Sequence, residues 1–265
     1  MKDLFDISGK VAVVTGAGGV LAGTVARYLA DRGCRVAALD LRESAATGLG
    51  SDIIGFGCNV LDESSLKLVC DAVMEKFGRV DMLLNGAGGN MPGATIGPDQ
   101  TLFDLKMDDY SKVLDLNLKG TLLPTLVFSK PMTAQDTGGA IVNFSSMAAT
   151  QPLTRVMGYG NAKAGIDNLT RFLAVELATK FGGKIRVNAI APGFFVTNQN
   201  RALLTTPDGG YTARGNDVIR KTPLRRFGTP DEILGCIHYL VSDAAKFVTG
   251  TIIPVDGGFS AFSGV

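Results

Sequence analysis

The chain has 265 residues, 46% of them apolar, and 26 Lys+Arg against 25 Asp+Glu leave a formal net charge of +1. That balance gives no electrostatic reason to expect nucleic acid or an anionic membrane as partner, and a chain this long buries roughly 70–75% of its unfolded surface, so it needs no disulfide or metal to fold. Cys34, Cys58, Cys70 and Cys236 form no CxxC pair and His238 is the single histidine, so no metal site is expected and the thiols read as reduced and cytoplasmic.

The first strand is predicted over Lys10 to Thr15, a continuous apolar run of the kind a buried parallel strand shows. It begins so early that no room is left for a leader peptide. A helix follows from Val20 to Asp31, then strand two (Cys34–Asp40) and strand three (Ile53–Val60). Leu66, Val69, Val73 and Phe77 recur at helical spacing. Strand four is predicted over Val80–Asn85 and a long helix over Tyr110–Lys130. The longest apolar stretch, Leu114 to Phe128, is broken by Asp115, Asn117, Lys119 and Pro124 and is not expected to span a membrane.

Strand five (Gly139–Ser145), a second long helix (Tyr159–Lys180) and strand six (Lys184–Ala191) continue the alternation. Phe194 to Phe227 reads as a long irregular segment, which in a compact fold suits a substrate lid. Thr229-Pro-Asp-Glu232 carries the signature of a capping box opening a helix, and Ile252–Val255 closes the series as strand seven. Regular alternation predicts α/β architecture over residues 1–265 as one domain: a doubly wound, Rossmann-like, seven-stranded parallel sheet with helices on both faces.

Such a sheet binds ligands beyond the carboxyl ends of its strands. The first strand ends in Thr15-Gly-Ala-Gly-Gly-Val-Leu-Ala-Gly23. Gly16 and Gly19 let the backbone approach a pyrophosphate, and Val20 and Leu21 open a helix whose free N–H groups face it. Asp40, at the end of strand two, suits the ribose hydroxyls of NAD and repels a 2′-phosphate; Arg42 is the opposing feature, since an arginine there accepts that phosphate. Tyr159 and Lys163, four apart, project from one helix face, where the ammonium is expected to lower the phenol pKa and let the tyrosine exchange a proton with an alcohol.

With Thr15-Gly16, Asn85-Gly-Ala-Gly88, Asn117, Ser146, Tyr159-Gly-Asn-Ala-Lys163, Pro192-Gly193 and Val255-Asp-Gly-Gly258 in this order, the sequence resembles the short-chain dehydrogenase/reductase family over nearly its full length. The resemblance implies Tyr159 as general acid/base, Ser146 on the reacting oxygen, Lys163 on the nicotinamide ribose and Asn117 holding a water of a proton relay. It further implies Asn59 and Val60 in cofactor binding, with Asn59 at the adenine, Asn85 and Ala87 backing the cofactor, and Pro192, Gly193 and Thr197 along the nicotinamide. Two departures stand out: Val20 and Ala22 replace the last two glycines of the family's turn, and Asn59 replaces an acid that reads the adenine amino group, leaving a side-chain carbonyl to do so. A homotetramer is expected from the same resemblance.

The loops must choose the substrate. Asn90, Gln151, Arg155 and Arg201 suggest a polyhydroxylated acid, the arginines either gripping a carboxylate or serving as surface charges. The strings Thr154 to Tyr159 and Pro192 to Arg201, and the ending Gly257 to Val265, resemble the mannonate oxidoreductase (fructuronate reductase) branch. That implies a sugar-acid substrate of the fructuronate/mannonate type. The alternatives are a gluconate 5-dehydrogenase-like activity, a 3-oxoacyl thioester reductase, and, from another class, a non-catalytic NAD(H)-binding regulator.

Overall fold

The computed structural model describes residues 3–198 and 200–264; Gln199 and Val265, both within the quoted loop strings, lie outside the described residues. Seven parallel strands run in the order β3-β2-β1-β4-β5-β6-β7: β1 (Val11–Thr15), β2 (Arg35–Asp40), β3 (Ile53–Gly57), β4 (Met82–Asn85), β5 (Gly139–Phe144), β6 (Ile185–Pro192) and β7 (Ile252–Val255). The order reverses between β1 and β4, which opens a crevice at the carboxyl ends of the strands.

Every residue of β1 is buried, because helices cover both faces of the sheet. Side chains alternate between two cores, as the strand period of two requires. Ala12 and Val14 join Val25 and Leu29 of α1 (Val20–Asp31) and Ile237 and Leu240 of α9 (Leu234–Val241). Val11 and Val13 join Leu66 and Val73 of α3 (Glu63–Phe77), Phe128 of α5 (Gly120–Ala134) and Leu173 of α6 (Met157–Lys180).

Three elements depart from the sequence reading. The helix expected over Tyr110–Lys130 is α4 (Met107–Leu114), a π-helical turn over Asp115–Lys119, and then α5. A π-turn leaves no periodicity to read, and such turns gather at functional sites; this one carries Asn117. A four-residue α2 (Glu43–Ala46) follows Asp40, too short for a periodic signal. The expected irregular segment holds α7 (Arg201–Leu204) and α8 (Ala213–Lys221), the latter capped by Thr212 Oγ1 accepting from the Gly215 N–H at 3.0 Å. The Thr229 capping box forms as expected but opens a 3-10 turn, Pro230–Ile233, that runs into α9. No helix of the described residues is long and apolar enough to cross a membrane.

Candidate active site

A cleft of about 540 Å³ lies along the crevice. At one end, β1 gives way to Gly16, whose φ is +67 and where an added Cβ would stand 2.7 Å from Ala87 Cα, leaving no room for a side chain. Gly19 is the extended N-cap of α1 and makes no side-chain cap; the first turn also holds no acidic residue. The helix therefore points unsatisfied N–H groups into the cleft. The departures at Val20 and Ala22 find their explanation here. Val20 is simply the first helical residue and lines the cleft. Ala22 brings its methyl to 2.8 Å from where a Cβ on Gly86 would stand, and a Cβ on Gly23 would stand 2.6 Å from the Ala17 carbonyl, so glycines after β4 and one position along the helix permit the close packing. These features fit a dinucleotide pyrophosphate.

Asp40 lines the same end, its Oδ2 accepting the Gly18 N–H at 3.0 Å. Leu21, Asn59, Val60, Ala87, Pro192, Gly193 and Thr197 also line the cleft. Asn85 does not: it is buried beneath, donating to Thr125 Oγ1 and Asn143 Oδ1, both at 2.9 Å, and so it belongs to a polar core network rather than to the cofactor surface. Asn59 lines the cleft, and its side-chain carbonyl also accepts the Leu61 N–H at 3.0 Å, which fixes the orientation of the amide. Arg42 also lines this end, exposed, just before α2.

At the other end of the cleft stand Ser146, Tyr159 and Lys163. Ser146 follows β5 and caps a short turn, its Oγ accepting from the Ala148 N–H at 3.1 Å and sharing a hydrogen bond with the Tyr159 phenol. Lys163, one turn after Tyr159, is 4% exposed; its Nζ donates to the Phe144 carbonyl at 2.7 Å and lies 5.4 Å from the Tyr159 ring centroid. Burial pushes Lys163 down to about 8, with Asp167 opposing, while burial also raises the Tyr159 phenol and the Ser146 bond lowers it. Within the chain itself burial is the largest influence on the phenol, and the Lys163 ammonium stands beside the ring while donating to a backbone carbonyl.

Asn117 is fully buried in the π-turn. Its Nδ2 donates to the carbonyls of Gly89 at 2.7 Å and Val113 at 2.8 Å, and its Oδ1 accepts the Gly89 N–H at 3.0 Å. The side chain thus fastens the turn after β4. Ser145 lines the cleft but gives its hydroxyl to Asp167, a buried carboxylate one turn beyond Lys163. Asp167 escaped the sequence reading because nothing in its spacing distinguishes it from a surface acid; only burial reveals it.

The four substrate candidates are not brought together. Asn90 donates to Thr95 Oγ1 at 2.6 Å, and Gln151 donates to the Ser260 carbonyl at 3.3 Å, so both brace loops. Arg155 donates through Nε to the Ile96 carbonyl at 2.8 Å, and Arg201 is exposed at the start of α7. Asn198 and Asn200, unflagged earlier, line the cleft instead; Asn200 spans the turn by bonding Thr197 and Phe195. The tail folds back on its own chain, Phe259 lying 5.4 Å from Phe194, where Asp256 accepts the Gly258 and Ser260 N–H groups. His238 bonds the Tyr28 hydroxyl and the Phe5 carbonyl. No cluster of three metal-ligating side chains exists among the described residues.

Comparison with known proteins places this geometry. Residues 16–260 match the family described as enoyl-(acyl carrier protein) reductase. An uncharacterized oxidoreductase of Bacillus subtilis is 41% identical, over 98% of both chains. A crystal structure of a proposed D-mannonate oxidoreductase from Haemophilus influenza, with bound NAD, is 42% identical, covers 98% of each chain and superposes with a TM-score of 0.91. A D-threitol dehydrogenase of Mycolicibacterium smegmatis is 36% identical, over 97% of this chain and 95% of that one.

Proposed function

The chain belongs to the short-chain dehydrogenase/reductase family and is an oxidoreductase acting on a CH–OH group; from that premise we propose that it uses NAD(H) to interconvert the alcohol and ketone of a sugar acid, of the fructuronate/mannonate type. The observation that carries this reading is one cleft with Asp40 at one end and Ser146, Tyr159 and Lys163 at the other. Asp40 favours NAD over NADP by repelling a 2′-phosphate. The amide of Asn198, which lines the cleft, suits hydroxyl groups better than an acyl chain. The relatives named above that act on sugar acids and polyols support the same direction.

NAD(H), when bound, supplies the hydride acceptor or donor. Tyr159 takes the hydroxyl proton in oxidation and returns it in reduction. Ser146 donates a hydrogen bond to the reacting oxygen and holds it beside the phenol. Lys163 supplies positive charge next to the phenol and passes protons toward solvent. Asn117 positions the Gly88-Gly89 turn on which the cofactor's ribose would lie. A subunit interface is part of the reading: Leu126 on α5 and Phe172 and Val175 on α6 are 56%, 62% and 67% exposed, which suits a homotetramer.

A steady-state screen tests the proposal: fructuronate, mannonate, 5-ketogluconate, a four-carbon polyol and an acetoacetyl thioester, each with both cofactors. The highest kcat/KM should fall on a sugar acid with NAD(H). Preference for the thioester, or for NADPH, would overturn it, and NADH binding with no turnover of any alcohol would favour a regulator.

A further inference from the structure

Two guanidinium groups meet where three loops converge. Arg155 lies between Ser146 and α6, with φ of +77, a conformation that a non-glycine residue adopts only under constraint. The constraint is a two-way tie to the loop after β4: Arg155 Nε donates to the Ile96 carbonyl at 2.8 Å and the Ile96 N–H donates to the Arg155 carbonyl at 3.0 Å. From the lid, Arg214 of α8 reaches over to Thr154, its Nη atoms 3.4 and 3.5 Å from the Oγ1 and the carbonyl.

The two cations share this corner without a carboxylate of the described residues at ion-pair distance, Asp217 opposing them only from further off. Burial and then the charge of Arg155 push Arg214 below the ordinary arginine value. Among the described residues no carboxylate forms an ion pair with either group; Asp217, in the next turn, is paired with Arg220 at 2.7 Å. Holding like charges side by side in a half-buried corner costs free energy, which an anion joining them offsets. The three loops follow β4, β5 and β6, where a doubly wound sheet places its ligand, and Arg155 lies four residues before Tyr159 in the segment that leads into α6.

We infer that Arg155 and Arg214 together form the subsite for the substrate's carboxylate, joining α8 of the lid to the segment before α6 when an acid binds. The inference rests on the sugar-acid reading and specifies where the acid's charge is held. Arg155 spends Nε on Ile96 and keeps its Nη atoms for the ligand; Arg214 adds the second fork, so each carboxylate oxygen meets a guanidinium. Arg201, the other sequence candidate, has no part in the pair.

The test compares kcat/KM for the acid substrate with that for a neutral analogue carrying hydroxymethyl in place of carboxylate, in the wild type, Arg214→Gln, Arg155→Gln and Arg214→Lys. NADH titration checks that each variant keeps its fold. The wild type should favour the acid, and each Gln variant should lower the acid-to-neutral ratio roughly 10- to 100-fold. Arg214→Lys, which keeps the charge but not the fork, should fall between. A wild type that favours the acid while all three variants leave the ratio unchanged overturns the subsite and spares the substrate reading. A wild type that favours the neutral analogue overturns both.

Discussion

Lys163 and Asp167 lie one turn apart on α6, 4% and 6% exposed, so an ammonium and a carboxylate share one buried environment next to the phenol of Tyr159. Each moves the other: Asp167 raises the Lys163 pKa that burial lowers, and burial raises Asp167 while its Ser145 bond, Arg171 and Lys163 lower it. The sign of an Asp167→Asn change follows. Losing the carboxylate drops Lys163 further below about 8, so the ammonium titrates away at lower pH and the phenol ionises less readily. The acid limb of kcat/KM for alcohol oxidation should move to higher pH by roughly half a unit to one unit. An unmoved limb, or one moved to lower pH, would show that Asp167 does not act through Lys163.

Asp40→Ala should relax cofactor choice. The carboxylate is the one acidic side chain lining the cleft among the described residues, and Arg42 lines it close by. Its removal should raise the NADP/NAD ratio of kcat/KM roughly 10- to 100-fold. A ratio that stays put would move the discrimination to another residue.

Asn117→Ala should destabilise the fold. Three side-chain hydrogen bonds to Gly89 and Val113 disappear inside a π-turn, stranding buried backbone groups. A cost of about 2–4 kcal/mol is expected from such losses, read as a lower urea midpoint at an unchanged slope. If the midpoint holds while activity falls, Asn117 serves chemistry rather than the turn.

The thiols should be inert in the native protein. Burial pushes Cys34 up to about 12, Cys70 and Cys236 up to about 11, and Cys58 upward as well. Hardly any thiolate is present at neutral pH. Mass spectrometry after brief iodoacetamide treatment should find unmodified native protein and four labelled sites after denaturation; rapid native labelling would contradict the packing.

What the sequence made legible has a local cause. The pairing of Tyr159 with Lys163 is a helix spacing, Asp40 closes an apolar strand, and the parallel sheet follows from alternation, so each could be read from neighbouring residues. Asp167, Arg214 and the role of Asn117 depend on contacts between distant segments: 145 with 167, 154 with 214, 89 with 117. Their residue types are unremarkable in isolation. Helix α8 did carry a local signal, Thr212 ahead of Val218 and Ile219, but the loop chemistry around it masked the period.

The most direct test of the mechanism is the rate of NADH formation by Tyr159→Phe set against its NADH affinity. Ser146 and Lys163 remain in place in this variant, so only the exchangeable phenol proton is lost. The kcat should fall about 10²- to 10⁴-fold, with Kd for NADH within roughly twofold of wild type. A variant that turns over at near wild-type rate contradicts the assignment of Tyr159 as the proton carrier.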